Sequence, residues 1–209
     1  FLYLKGISIT YADHDPQYEY FLWGSYSHTG WWYYYLVTFA LKSTIPALIL
    51  IGISGVLWLK EYRNKTLYFL VLPIMALLVV TMFDSANIGL RRILPVYPFL
   101  FIFASRAALI ARRKPWGLMA LSLLCLWHFS SAIRIYPDYL AYFNELAGGV
   151  DKGIYYLDDS NIDWGQDLKR LKEYIEQNGI RPIKIHCFSS VQPEDYGINY
   201  EKITPQELI

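Results

Sequence analysis

The chain of 209 residues is 55% hydrophobic, 18% aromatic and only 18% charged, where a soluble domain averages about 25% charged. Residues 1–133 carry eleven Lys/Arg against five Asp/Glu, net +6, and residues 134–209 carry eight against thirteen, net −5. This balance excludes a disordered chain, a fibrous repeat and a disulfide scaffold, and no basic patch joined to a reading motif points to nucleic acid. The charge split implies two environments.

The sequence opens on Phe1 with no readable leader, as expected of a fragment or a processed piece. Residues 1–42 predict an external loop ending in an interfacial helix over 31–41, because Trp31, Trp32, Tyr33, Tyr34 and Tyr35 suit the headgroup zone. His14, His28, Asp13, Asp15 and Glu19 in this segment are candidates to line an acceptor site, with a solvated loop as the plainer account. The apolar run 31–59 would reach roughly 44 Å as one helix, too long for a single crossing. Lys42, Ser43, Thr44 and Pro46 interrupt it, so the span is placed at about 43–59.

Further spans are predicted at 67–83, 93–111 and 115–133; the first has no charge, the second only Arg106, and the third only the ionisable His128. Buried helices of a large soluble core are the alternative, but three such runs with little amphipathic alternation speak against it. Lys60, Arg63 and Lys65 in one loop and Arg112, Arg113 and Lys114 in another fall on the same side, which the positive-inside rule makes cytoplasmic. Arg106 is then a cation snorkelling to that side.

The tail from residue 134 is expected outside. Pro137 and Asp138 open a short helix that Gly148 and Gly149 close. Residues 153–157 read as a strand, Asp163 as the N-cap of a helix with Gln166 completing a capping box, and 183–188 as a second strand after Gly179 and Pro182. Strand, helix and strand make a βαβ unit. The expected fold class is therefore an α-helical polytopic membrane protein of about four spans plus an interfacial helix, with a small C-terminal α/β domain. Its parts are residues 1–42, the membrane region 43–133 and the external domain 134–209. Cys125 and Cys187 are expected as free thiols.

Asp159, Asn161 and Asp163 have the spacing of the first three ligands of a calcium loop. Trp164 and Arg170 stand where that loop needs Gly and Glu, so capping and turn roles explain these residues more simply and no metal site is assigned. A divalent metal is the only cofactor the spacing admits. The alternative is a polar ligand at the strand ends, with Asp159 and Asp163 lining it.

Lys42, Arg91 and Arg92 are cations on the external side, where basic residues are depleted. They suit a phosphate at headgroup depth through charge-assisted hydrogen bonds, and anchoring to lipid phosphates is the rival account. Asp84 is the carboxylate beside the arginines, expected to pair with one of them rather than react.

Four stretches carry a resemblance: G-W-W-Y-Y-Y-L-V-T-F-A-L-K-S-T-I-P (30–46), N-I-G-L-R-R-I-L-P-V-Y-P (87–98), P-D-Y-L-A-Y-F-N-E-L-A-G-G (137–149) and D-S-N-I-D-W-G-Q-D-L (159–168). Together they resemble the C-terminal half of bacterial polyprenyl-phosphate-dependent glycosyltransferases. These are GT-C membrane enzymes related to protein O-mannosyltransferases and the lipid A aminoarabinose transferase. The resemblance implies a multi-pass protein of the bacterial plasma membrane that moves a sugar, with inversion, from a polyprenyl-phosphate donor to an external saccharide, lipid or protein acceptor. Lys42 and Arg91 match the family's basic positions, and Arg92 departs from a common His while keeping a cation. The family's aspartate base belongs to a region before Phe1, so no catalytic residue carries over. Two readings stand beside it: a non-catalytic membrane protein whose external tail is a binding or assembly module, and a transporter segment for which only His128 and Arg106 are ionisable candidates.

Overall fold

The structure is a computed structural model and describes residues 18–60, 65–84, 86–180, 183–185 and 191–203. The chain divides into two units, Phe1–Ile162 and Asp163–Ile209. The first is mostly helical and includes residues 134–162.

It begins with an antiparallel hairpin of β1 (Tyr20–Leu22) and β2 (Ser25–Ser27). The two-residue turn between them has Trp23 at φ 53° and Gly24 at φ 76°, the paired left-handed conformation that matches strand twist. Helix α1 (Tyr34–Lys42) follows, and its backbone stops at Ser43 in an extended conformation. Helix α2 (Ile45–Lys60) starts at once, with Pro46 in its first turn where no N–H is missed, and leaves α1 at 118°. The predicted break at Lys42–Pro46 is thus a sharp corner.

Helix α3 (Lys65–Met82) carries Pro73, which removes the bond to the Phe69 carbonyl. A 3-10 turn over Leu90–Ile93 leads into α4 (Val96–Ala104) and α5 (Ala107–Ala111). The expected span 93–111 is therefore two segments, tightened where the Ser105 hydroxyl donates to the Ile102 carbonyl at 2.7 Å. Helix α6 (Pro115–Arg134) takes Pro115 at its first position and packs on α2 and α5. Gly117 makes that hairpin close, since a Cβ there would lie 2.5 Å from the Ala111 carbonyl oxygen.

By length and composition α6 is apolar enough to cross a membrane, and α1 with α2 qualifies as a second, bent, span. Residues 67–82 and 96–111 form shorter apolar helices. The shafts carry exposed large side chains, including Phe69 at 80%, Leu72 at 61% and Leu126 at 65%. The core gathers instead where α1, α3 and α4 meet the loops, around Tyr34, Tyr35, Ile74, Ile93, Val96, Phe143 and Leu157.

Four expectations for the tail are corrected. The helix expected over 137–149 is two 3-10 turns, Tyr139–Ala141 and Glu145–Ala147, separated by extended backbone at Tyr142. Residues 153–157 are not a strand: helix α7 (Val150–Gly153) ends there, and the aromatic run continues as a turn that puts Leu157 in the core. In the second unit the helix α8 (Leu168–Asn178) starts four residues later than the capping box required, and Asp167 occupies its N-cap with its carboxylate 3.5 Å from Arg170 instead of capping the helix amides. Gly179, at φ 61°, ends it as expected. The parallel pair is β3 (Lys184–Ile185) with β4 (Glu201–Lys202), so the partner of the strand after α8 comes later in the chain. Leu168, Ile175 and Ile198 form the small core of this unit.

Candidate functional site

Lys42 ends α1, and its side chain turns into the protein rather than outward, with 8% exposure. Its ammonium donates to the Leu140 carbonyl at 2.7 Å and to the Asn161 carbonyl, and lies 4.4 Å above the Phe143 ring. Burial lowers its pKa from 10.5 to about 7. Lys42 is therefore a buried staple as well as a basic residue, and it lines a cavity rather than an open membrane surface.

Three buried asparagines complete the junction between α1 and the loops. Asn144 Nδ2 donates to the Ala40 and Ser43 carbonyls at 2.6 and 2.7 Å, satisfying the C-terminal end of α1. Its Oδ1 accepts from the Leu146 and Ala147 amides at 3.0 and 3.3 Å. Asn161 Nδ2 donates to the Tyr34 hydroxyl at 2.9 Å and to the Asp158 carbonyl, while its Oδ1 accepts from the Leu90 amide at 3.1 Å. Asn87 Oδ1 accepts from the Trp31 amide at 2.6 Å. Beside them the Tyr35 hydroxyl donates to the Ala86 carbonyl at 2.6 Å. Burial pushes the phenols of Tyr34 and Tyr35 well above their usual value, keeping both neutral. The first unit's stretches of all four sequence motifs, 30–46, 87–98, 137–149 and 159–161, thus meet at one end of the helical unit.

Arg92 pairs with Asp84 at 2.6 Å, the pairing expected of Asp84. The other Asp84 oxygen accepts from the Ala86 amide at 3.0 Å, which aims the carboxylate at the arginine. Arg91 is exposed, and its charge acts on Asp159. Asp159 sits at φ 52°, left-handed backbone that a non-glycine residue rarely adopts. Burial raises its carboxyl pKa, with Arg91 pulling the other way. Asp158, raised to about 6 by burial and then by Asp159, is a carboxyl that exchanges protons near neutrality.

His28 stands exposed beyond β2, its Nε2 3.4 Å from the Glu19 carboxylate, and is not gathered with these groups. Asp163 is exposed in the second unit, where its side chain accepts from the Gly165 amide at 2.8 Å. This local turn replaces the cap expected of it. Asn161 has its amide spent on Tyr34 and Leu90, which removes it as a ligand in the calcium-like spacing. Among the described residues no group of three His, Cys, Asp or Glu side chains is placed to hold a metal ion. Asp13, His14, Asp15, Glu61, Arg63 and Cys187 lie outside the described residues; Cys125 is a free, exposed thiol.

Residues that the sequence did not mark as a site join Lys42 in a polar mouth on the same end. A cavity of about 200 Å³ is lined by Lys42, Ser43, Thr44, Tyr97, His128, Tyr139 and Tyr142. The Thr44 hydroxyl is 2.6 Å from His128 Nδ1, and the Ser43 hydroxyl 2.8 Å from the Tyr97 hydroxyl. Burial raises the Tyr142 phenol to about 12. Through Ala47, Phe101 and His128 the mouth adjoins an apolar trough of about 340 Å³ between α2, α4 and α6, which Leu121, Cys125 and Phe129 also line. Ser43 and Thr44 were visible as polar interruptions and His128 as the one ionisable group of its run, but the His128–Thr44 pair spans 84 positions. Chemically, the mouth offers hydroxyls, an imidazole and an amine beside a slot for hydrocarbon. The chain matches no protein-family model, no curated protein and no solved structure.

Proposed function

We propose that the chain forms part of an inverting membrane glycosyltransferase that takes its sugar from a polyprenyl-phosphate carrier, as the four motif stretches suggest. In this reading α2, α3, α4 with α5, and α6 cross the membrane, the loops before α3 and α6 face the cytoplasm, and the mouth faces outside. The observation that carries the reading is the mouth joined to the trough, with hydrogen-bonding groups at one end and, Ser105 apart, apolar lining beyond them. That form fits an amphiphile with one polar head and a long tail. The exposed apolar shafts support a lipid surround, because a soluble surface rarely carries so much contiguous apolar area.

Transfer breaks the bond between the sugar's anomeric carbon and the phosphate oxygen, and forms one between that carbon and the acceptor oxygen. The acceptor's proton passes to a carboxylate base, and the bonding electrons leave with the phosphate. Lys42 lines the mouth with its pKa near 7, so an arriving phosphate favours its charged form at the place where negative charge develops. Arg91 supplies a further cation on the same end of the unit.

Cys125 in the trough is a built-in reporter. In a chain with Cys187→Ser, a polyprenyl phosphate should slow the labelling of Cys125 by an apolar maleimide, and inorganic phosphate should not. Unchanged labelling at saturating carrier would sink the trough as the tail site. In a transfer assay on the intact enzyme, Arg91→Ala should lose about 10²–10³ in rate, the typical worth of one preorganised donor, and Arg91→Lys should recover part. Full activity in folded Arg91→Ala would remove Arg91 from the reaction.

A further inference from the structure

A second apolar trough lies at the opposite end of the same helices. It encloses about 260 Å³ between α2, α5 and α6, with Leu50, Ile53, Leu121 and Leu124 on its walls and Arg113 and Lys114 at its rim. The close approach of Gly117 to Ala111 fixes the hairpin that carries those cations. Trp116 also lines the trough, and the Lys114 ammonium lies 5.8 Å from the centre of its ring. Among the described residues no acidic side chain lines the trough, and residues 85–137 contain no Asp or Glu at all.

We propose that this trough seats one anionic diacyl phospholipid, its phosphodiester on Arg113 and Lys114 and one acyl chain along α6. Charge complementarity selects the anionic headgroup, since two adjacent donors, with no carboxylate lining the trough among the described residues, suit a phosphate. Trp116 stands where an amphipathic ring meets headgroups. The carrier's phosphate does not compete for these cations in the reading above: it belongs at the Lys42 mouth, and α6, with its 20 residues, separates the two ends by about 30 Å, although the two troughs share Leu50 and Leu121. The inference rests on the membrane reading above but not on sugar transfer.

The test uses the full chain in a neutral maltoside detergent, mixed with dioleoyl phosphatidylglycerol or dioleoyl phosphatidylcholine, with retained lipid counted by native mass spectrometry. One phosphatidylglycerol per chain should be retained, and phosphatidylcholine should not. R113Q/K114Q should lower retention about tenfold or more, given the typical worth of a cation near anionic lipid. K60Q/K65Q removes the same charge elsewhere and should leave retention unchanged. A120W keeps both cations but fills the trough, whose wall includes Ala120, and should also abolish retention. Equal retention of phosphatidylcholine, equal loss in K60Q/K65Q, or full retention in A120W would each overturn the proposal. Retained lipid in a chain that fails the carrier and transfer assays would sink the glycosyltransferase reading alone. Absent lipid in a chain that resists alkaline extraction from membranes would sink this inference alone.

Discussion

The helical unit holds itself together in two different ways. At the loop end, Asn87, Asn144 and Asn161 are almost fully buried, and each bonds to backbone or side chains far away in sequence. Along the shafts of α3 and α6, side chains such as Leu72, Val80, Leu123 and Phe129 are exposed. A buried amide left unpaired costs more than a made bond gains, so the loop end has one workable arrangement. The shafts owe their order mainly to apolar contact, with the buried Ser54 hydroxyl donating to the Ala104 carbonyl at 3.1 Å between α2 and α4, and apolar contact tolerates change wherever the side chain faces outward. The contrast explains why the candidate site sits at the loop end: cations, phenols and carboxyls can be held in fixed positions only where a bonded frame surrounds them.

The strongest way to break that contrast is Asn144→Ala. It strips partners from the Ala40 and Ser43 carbonyls and from the Leu146 amide, while the Ala147 amide keeps its bond to the Asn144 carbonyl at 3.1 Å. The expected loss is about 3–5 kcal/mol of stability in detergent, at 1–3 kcal/mol for each buried group left unpaired. Thermal unfolding followed by circular dichroism measures it. A loss under about 1 kcal/mol would mean that water satisfies this end, and that the frame is not what fixes the site.

Gly89→Ala tests the same frame through the backbone. Gly89 is at φ 107°, and an added Cβ would lie 2.5 Å from the Ser160 hydroxyl, which donates to the Ile88 carbonyl. Strain and contact together should cost about 1–3 kcal/mol. Tyr34→Phe is milder. It removes one acceptor from Asn161 Nδ2, which keeps its bond to the Asp158 carbonyl at 3.1 Å, so about 1 kcal/mol is expected.

The ionisable groups of the loop end give the contrast a pH signature. Lys42 has a folded pKa near 7, below its ordinary 10.5, so the unfolded chain binds more protons between these values. Its contribution to stability is fully present above 10.5 and is lost as pH falls through about 7. Asp158 is raised from 3.8 to about 6, so the folded chain binds more protons in that window. Its contribution is fully present below 3.8 and is lost as pH rises through about 6. Stability should therefore dip between pH 6 and 7; Lys42→Met should flatten the alkaline limb and Asp158→Asn the acid one. Unfolding midpoints from pH 4 to 10 in one detergent check this, and unaltered limbs in those variants would show that other groups shape the profile.

The same contrast governs how much was legible in the sequence. The shafts were readable because apolar runs without charge leave few alternatives: the expected 43–59, 67–83 and 115–133 correspond closely to Ile45–Lys60, Lys65–Met82 and Pro115–Arg134. The loop end was readable in composition but not in arrangement. Lys42, Arg91 and Arg92 stood out as cations, yet nothing local says that Lys42 turns inward to Asn161, 119 positions away. Residues 153–157 carried strand-forming types that serve core packing at Leu157 instead. Asp163 had the chemistry of a cap, but its carboxylate closes a turn on Gly165 two residues on, and α8 starts later. Local propensity loses wherever a buried side chain reaches across the fold.

On α3 itself, inward and outward side chains should differ in what their loss costs. Ile74 and Leu72 lie two residues apart on α3, one at 7% exposure in the core and the other at 61%. Ile74→Ala should cost about 2–4 kcal/mol, from lost burial and the cavity left behind. Leu72→Ala should change stability by no more than about 0.5 kcal/mol in detergent, as for a largely exposed side chain. Detergent or lipid fills the space the side chain leaves, so only a few dispersion contacts are exchanged. Paired unfolding curves in the same micelle make the difference independent of the absolute scale. A loss at Leu72 approaching that at Ile74 would mean that another protein surface, such as a second copy of this chain, covers the shaft. The outward face of α3 would then be an interface rather than a surface turned to lipid.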